Sequence, residues 1–441
     1  MSINIQKSLP STAIHALDQL VQAAFAQASQ QPVVATTDEI DRALQAPSEL
    51  DEKNAEYFRK KAYAENTYKS FKSDLLDFVS WSRMECPFPT TSAMVIQYLT
   101  DLANKERPQI KEKVNMKPVD KLYAPTTIEH RLHALSWLHR LQNWVDPTDH
   151  VDVKAIMRGI KRDRADCQWT GTQAPAFDVK QIKKIVETMD KAIAETEGLI
   201  NDHNAELASL SQRRALLGGQ LQGGRKLRND IIRKQEKKNL ERKLILRDKA
   251  YFLTALFGAF RQSEACRLRY DQLERRDNAI ILSMGVIKND QMNTRKKYSV
   301  LPTMSNSPIC PVTALGNWCA EAEIDSGFLF RGFNRHGEFA MKKIKDKHGV
   351  VVEELIQPIS HTTANNIVKK WCEKAELPSA KLYSGHSLRA TFITIARNAG
   401  VLDSQIIRQT HHKNTDMLNT YDRAEQALSA SPVFGFADAV S

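Results

Sequence analysis

The sequence has no apolar run able to cross a bilayer: the most apolar stretch, Tyr251 to Phe260, falls far short of the roughly 20 residues a spanning helix needs. The start, Met-Ser-Ile-Asn-Ile-Gln-Lys, lacks the apolar centre of a secretory signal. Six cysteines (Cys86, Cys167, Cys266, Cys310, Cys319, Cys372) occur without a C-x-x-C pair, which argues against a zinc site and a disulfide framework. No internal repeat is evident, so a solenoid is not indicated. These absences predict a soluble chain in a reducing, cytoplasmic setting.

What is present is length and positive charge. With 441 residues, two or three domains are expected. The formal net charge of +11 points weakly toward nucleic acid. Much of it is local, since Arg225 to Lys249 holds 11 Lys/Arg against 4 Asp/Glu. A solvated helix face accounts for such a run as readily as a DNA contact does.

Residues 1–50 read as an N-terminal arm, with a helix from Thr12 to Ala28 and a Gln/Pro/Thr-rich loop behind it. Residues 51–162 carry four helical patterns. Phe71, Leu75, Phe78 and Val79 form one apolar stripe, with Lys69, Lys72 and Arg83 away from it and Pro87 and Pro89 as the stop. Thr91 or Ser92 caps the second helix, and a basic loop over 105–124 precedes a third that starts at Thr126 or Thr127. The fourth, about Val153 to Arg162, turns Val153, Ile156, Met157 and Ile160 inward and Lys154, Arg158, Lys161 and Arg162 outward. Those basic faces suit docking on a DNA backbone and equally suit an ordinary solvated surface. Residues 163–176 break the periodicity and read as a linker.

A block over about 190–249 is rich in Lys, Arg, Glu, Gln and Leu, with glycine pairs at 218–219 and 223–224. It predicts a long helical hairpin turning at the glycines, able to touch DNA or a second protomer, or to serve as a decorative insertion. Tyr251 to Phe260 reads as a buried helix followed directly by Arg261-Gln262-Ser263-Glu264. Ala279–Ser283 and Tyr298–Leu301 read as a β-hairpin with Lys288 on its loop. Later helices are expected near Val312, Thr362 and Ser404.

The last quarter carries the chemistry. Gly385-His386-Ser387-Leu388-Arg389 opens a helical run ending at Gly400, placing His386 and Arg389 three apart in its first turn. Free backbone N–H groups and the positive dipole end at a helix start suit an anion. Thr410-His411-His412 follows, and Tyr421 lies nine residues beyond His412. Each residue alone is an ordinary structural feature; Arg261 and Glu264, for instance, suit an intrahelical ion pair.

In order, Arg261-x-x-Glu264, Gly285-x-x-Lys288, His386-x-x-Arg389, His412 and Tyr421 resemble the tyrosine recombinase (phage integrase) family, and within it the Cre-like site-specific recombinases. The resemblance covers about residues 55–189 and 250–436. It implies a mainly α fold with a small β-sheet: a helical core-binding domain and an α+β catalytic domain over 177–425, clamped on DNA. It implies a nucleophilic Tyr421 and phosphate-neutralising Arg261 and Arg389, with His412 donating a hydrogen bond. His386 is then the base or proton shuttle, Lys288 the general acid and Glu264 an orienting carboxylate. Lys288 has basic competitors at Arg295, Lys296 and Lys297, and position 411 is His where the family often has Gly.

The implied function is DNA integration or recombination through a 3′-phosphotyrosine, with no metal, nucleotide or other cofactor. The implied partners are double-stranded DNA with inverted-repeat arms and the protein itself, a dimer on one site and a tetramer in synapsis. The setting would be a mobile element, with the protein nucleoid-associated on DNA. The apolar tail 426–441 would dock on a neighbouring protomer, or else pack on its own domain. A hairpin telomere resolvase or relaxing topoisomerase shares this chemistry. A catalytically silent DNA-binding protein is the rival of another class.

Overall fold

The computed structural model describes residues 19, 65–84, 86–106, 121–167, 169, 174–216, 224–285, 296–334, 337–345, 350–419 and 421. The arm helix, residues 107–120 of the basic loop, Lys288 and its loop 286–295, and the tail beyond Tyr421 lie outside them. The chain divides into two compact units, residues 1–172 and 173–441. Its described elements are mainly helical, with two small antiparallel sheets.

The first unit contains α1 (Glu65–Ser82), α2 (Ser92–Asn104), α3 (Pro125–Leu141) and α4 (Val151–Asp166). Their apolar stripes meet in one core, with Leu75, Phe78, Leu99, Ile128, Leu135 and Met157 all buried. Thr91 caps α2, its hydroxyl accepting from the Met94 N–H at 3.3 Å. The expected proline stop for α1 is not what ends it. The helix finishes at Ser82, where Arg83 takes a left-handed φ of 56°, ahead of Pro87.

In the second unit α5 (Val179–Leu216) and α6 (Gly224–Phe257) are the longest elements. The hairpin expected over 190–249 is therefore not a separate insert. Two core helices are simply extended outward, and α6 runs without a break from the hairpin into the buried stretch at Tyr251. Its last turns are packed on all sides, with Tyr251, Phe252, Leu253 and Ala255 buried. They meet Ile185, Val186 and Met189 of α5, Trp318 of α8 (Pro311–Glu321) and Trp371 of α9 (His361–Lys374).

A three-stranded antiparallel sheet adds β1 (Leu273–Arg275) to the expected pair β2 (Ala279–Met284) and β3 (Lys297–Pro302). Ile280 pairs with Leu301 in register, and both side chains are buried. The strand β1 was not legible because its three residues carry too short a pattern. A second ribbon, β4 (Met341–Lys345) with β5 (Val351–Ile356), was also missed; its described side chains are largely exposed, so no burial alternation marks it.

Three shorter helices complete the unit: α10 (Gly385–Asn398), α11 (Asp403–Thr410) and α12 (Asp416–Asn419).

Candidate active site

The site grows from the end of α6. Gly258, Ala259 and Phe260 turn the chain back, and only glycine fits at 258, because a Cβ there would sit 2.0 Å from the Phe260 ring. Ala259 takes a positive φ of 50°, aiming its carbonyl at Arg389, whose Nη1 donates to it at 2.6 Å. Arg261 follows as the N-cap residue of α7 (Gln262–Cys266). Glu264 does two jobs there. One carboxylate oxygen accepts from the Arg261 backbone N–H at 2.9 Å, the other from Arg261 Nη1 at 2.8 Å. The carboxylate thus closes the first turn of α7 and fixes the guanidinium on top of it.

Arg389 comes from the first half of α10. The helix starts against α7: a Cβ on Gly385 would lie 3.0 Å from the Gln262 side chain, so the absence of one lets the two helix starts touch. Arg389 is almost wholly buried, and its Nη2 donates to the Thr410 carbonyl at 2.6 Å and to His412 Nε2 at 3.0 Å. Its Nε is buried with no partner among the described residues. Burial first, then the neighbouring Arg261, pull the guanidinium down to about 10, while Glu264 and the Tyr421 phenol oppose that. It stays charged at neutral pH. Two guanidiniums share one carboxylate, and the pocket has positive charge left over for an anion.

His412 is set by α11. Gln409 anchors that helix to the sheet, pairing with the Val300 backbone on both sides, at 3.1 Å and 2.9 Å. Residue 411 is the left-handed C-cap, φ 56°. That backbone explains why glycine suits the position; histidine is among the residues that tolerate it, and here Ser299 Oγ lies 3.1 Å from its Nε2. The turn brings Thr410 and His412 together. The Thr410 hydroxyl donates to the Ile406 carbonyl at 2.8 Å, so its oxygen is left to accept from His412 Nδ1 at 2.8 Å. Arg389 can only donate, which makes His412 Nε2 an acceptor. The network therefore assigns His412 as the neutral Nδ1–H tautomer.

Burial, reinforced by Arg389 and Arg261, lowers His412 to about 3, and burial lowers His411 to about 4. A histidine depressed in the folded state binds fewer protons than in the unfolded chain. Its contribution to stability is present above the unfolded value near 6.5 and is lost as pH falls toward the folded value. Acidification from pH 7 to pH 5 is expected to cost about 2 kcal/mol for each of the two. Thermal melts should show His412→Gln losing less stability than the wild-type chain over that interval; equal slopes would remove the effect.

Tyr421 is the last described residue. It packs against the small buried cluster of Ile393, Ala396, Ile406 and Leu418, with its ring centroid 5.9 Å from that of His412. The segment carrying it is held by Arg397 from the far end of α10. Arg397 makes a two-pronged ion pair with Asp403 at 2.9 Å and 2.7 Å and donates to the Leu418 carbonyl at 3.3 Å. Neither Arg397 nor Thr410 was found from the sequence, since only the fold gives them a partner. Given the role the resemblance implies for Tyr421, Arg397→Ala is expected to leave DNA affinity unchanged and to slow formation of a Tyr421 adduct about tenfold, by loosening the phenol's position. Single-turnover kinetics beside a binding titration would check this.

The structure thus brings Arg261, Glu264, Arg389, His412 and Tyr421 together. His386 also sits in the first turn of α10 but is exposed, whereas Arg389 turns inward. Lys69, Lys72, Arg83, Lys154, Arg158, Lys161 and Arg162 belong to the first unit. Lys154 is paired with Asp149 at 2.9 Å and Lys161 with Glu129; Arg83, Arg158 and Arg162 are exposed. Among the described residues no cluster of metal-ligating side chains occurs, and no helix is long and apolar enough to cross a membrane.

Residues 229–427, the segment holding the cluster, match the model of the phage integrase family. The match spans this domain, somewhat under half of the chain. It is similar to an integrase/recombinase XerD homologue of Selenomonas ruminantium, 25% identical over 366 residues, 82% of each chain. It is also similar to the Cre recombinase of Escherichia phage P1, 26% identical over 166 residues, which span 36% of this chain and 41% of that one. Among solved structures, the XerH site-specific recombinase bound to palindromic difH, a post-cleavage complex, aligns with a TM-score of 0.49 and 11% identity, covering 96% of this chain and 97% of that one.

Proposed function

We propose that the protein is a site-specific DNA recombinase that breaks and rejoins strands through Tyr421. One observation carries this reading. Buried Arg389, whose Nε has no partner among the described residues, lies close enough to feel both Arg261, which Glu264 fixes, and the Tyr421 phenol. A DNA phosphodiester is the anion that makes sense of a nucleophilic oxygen there. The named relatives are recombinases and integrases, which supports the same reading.

In this scheme the Tyr421 oxygen attacks phosphorus, a 3′-phosphotyrosine ester forms, and the P–O5′ bond breaks. The pair of guanidiniums neutralises the charge that builds on the non-bridging oxygens. Tyr421 gives up its proton to a base, with His386 in that role. The departing 5′-oxygen gains a proton from Lys288. The ester conserves the energy of the broken bond, so a 5′-hydroxyl from another strand reseals it without a nucleotide. The orientation of His412 changes one assignment. As the Nδ1–H tautomer it has no proton on Nε2 to offer a phosphate, and its work is to hold Arg389. Inverted-repeat arms, a dimer on each site and a synaptic tetramer go with this function, as does a helical first unit on the DNA backbone.

The test does not need the target site. The protein is incubated with a pool of randomised nicked duplexes, denatured, and the protein-linked DNA is recovered and sequenced. A recurrent sequence joined through a peptide containing Tyr421 is expected. Linkage through any other residue, or none at all, overturns the proposal. Joint products on DNA carrying two recovered sites separate recombination from hairpin-forming resolution, which leaves closed ends.

A further inference from the structure

We propose that the outer end of the α5–α6 hairpin is a second DNA-backbone site, gripping duplex beyond the segment held at the active site. The inference rests on the recombinase reading above. Arg214 from the last turn of α5, and Arg225 and Arg228 from the first turns of α6, converge on an open cleft of about 820 Å³ edged by Ser211 and Asn229. All three arginines are exposed, and among the described residues no carboxylate lies within ion-pairing distance of any of them. Between residues 207 and 235 the sequence has seven Lys/Arg and a single acid, Asp230.

The base of the same hairpin is built differently. There Arg242 pairs with Glu197 and Glu321, Lys249 with Asp190 and Lys238 with Glu241. Cations at the base fasten the helices to each other and to α8. Cations at the tip have no such use. Nor does the outer hairpin serve the core: among the described residues between 197 and 241 its buried side chains are Leu210 and Ile231, one on each helix, with Gln235 and Asn204 hydrogen-bonded across the seam. A structural appendage would not need unneutralised guanidiniums gathered from two helices. Forked, permanently charged groups around an open cleft fit phosphate oxygens.

Reach sets the geometry. From Glu197 to the end of α5 at Leu216 the helix rises roughly 28 Å at about 1.5 Å per residue, the length of roughly eight base pairs at about 3.4 Å each. On this proposal the tip meets DNA only when the duplex extends past what the catalytic body covers.

The test compares the full-length wild-type chain with Arg214→Ala/Arg225→Ala/Arg228→Ala on fluorescein-labelled 20-bp and 60-bp duplexes of one arbitrary sequence. On the long duplex the slope of log affinity against log salt should shrink by about two to three in the variant, near 0.9 per lost contact. The short duplex should show little change, and the triple Arg→Lys variant should recover most of the slope. Equal slopes on the long duplex overturn the site. So does altered self-association, measured by sedimentation without DNA, when long-duplex binding is unchanged, since that makes the tip a protein contact. Tyr421 adduct formation on a short nicked duplex is measured in parallel and should be unaffected. Its absence from the wild-type chain counts against the recombinase reading, whatever the tip does.

Discussion

Replacing Arg389 by alanine is expected to remove both catalysis and a good part of the local fold. The side chain joins three parts of the chain, donating to the carbonyls of Ala259 and Thr410 and to His412. Truncation strands those acceptors in a buried space and leaves a void the size of a guanidinium. Together these cost about 3 kcal/mol or more. The catalytic loss is separate: removing one preorganised donor to a developing anion slows the step by about 10²–10³-fold. Arg389→Lys distinguishes the two effects. It keeps a charge and a single donor nitrogen in place of the forked guanidinium, so it should recover part of the stability yet still form adduct far more slowly than wild type. Melting temperatures and single-turnover rates on both variants test this. Adduct formation at the wild-type rate by a folded Arg389→Ala would remove the guanidinium from the chemistry.

Tyr421→Phe should fold normally, bind DNA with wild-type affinity and form no covalent adduct. The ring packs against the buried cluster of Ile393, Ala396, Ile406 and Leu418, and phenylalanine keeps that packing. The stronger prediction concerns mixtures. Tyr421 lies close enough to Arg389 of its own chain to interact with it, so in the proposed mechanism nucleophile and phosphate-binding groups belong to one protomer. Mixing Tyr421→Phe with Arg389→Lys therefore pairs two chains that each carry a defective site, and the mixture should form no more adduct than Arg389→Lys does alone. Restored wild-type rates would mean that a neighbour supplies the tyrosine, and the assignment of a self-contained pocket would fail.

The parts of this site differed in how far they could be read from the sequence. The family resemblance carried by residue order and spacing named Arg261, Glu264, Arg389, His412 and Tyr421, which the structure brings together, and also His386, which is exposed, and Lys288, which lies outside the described residues. Helix positions were legible where apolar residues recur at helical spacing, as with Leu75, Phe78 and Val79 in α1. Helix ends were less so. Arg83 stops α1 by its backbone conformation, which no pattern of side chains announces. The hairpin was legible, though the turn expected at its glycines lies outside the described residues; the continuity of its second helix with the buried stretch was not legible, since charge and apolarity change within one helix at about residue 245.

The sequence by itself determined the inventory: a mainly helical chain carrying a tyrosine, two arginines and a histidine in an order suited to phosphoryl transfer. Only the tertiary structure decided the state of those groups. Which nitrogen of His412 carries its proton depends on Thr410 and Arg389, and the burial of Arg389 depends on a turn 130 residues earlier. Protonation, tautomer and charge balance are set by neighbours in space, and neighbours in space exist only once the helices have packed.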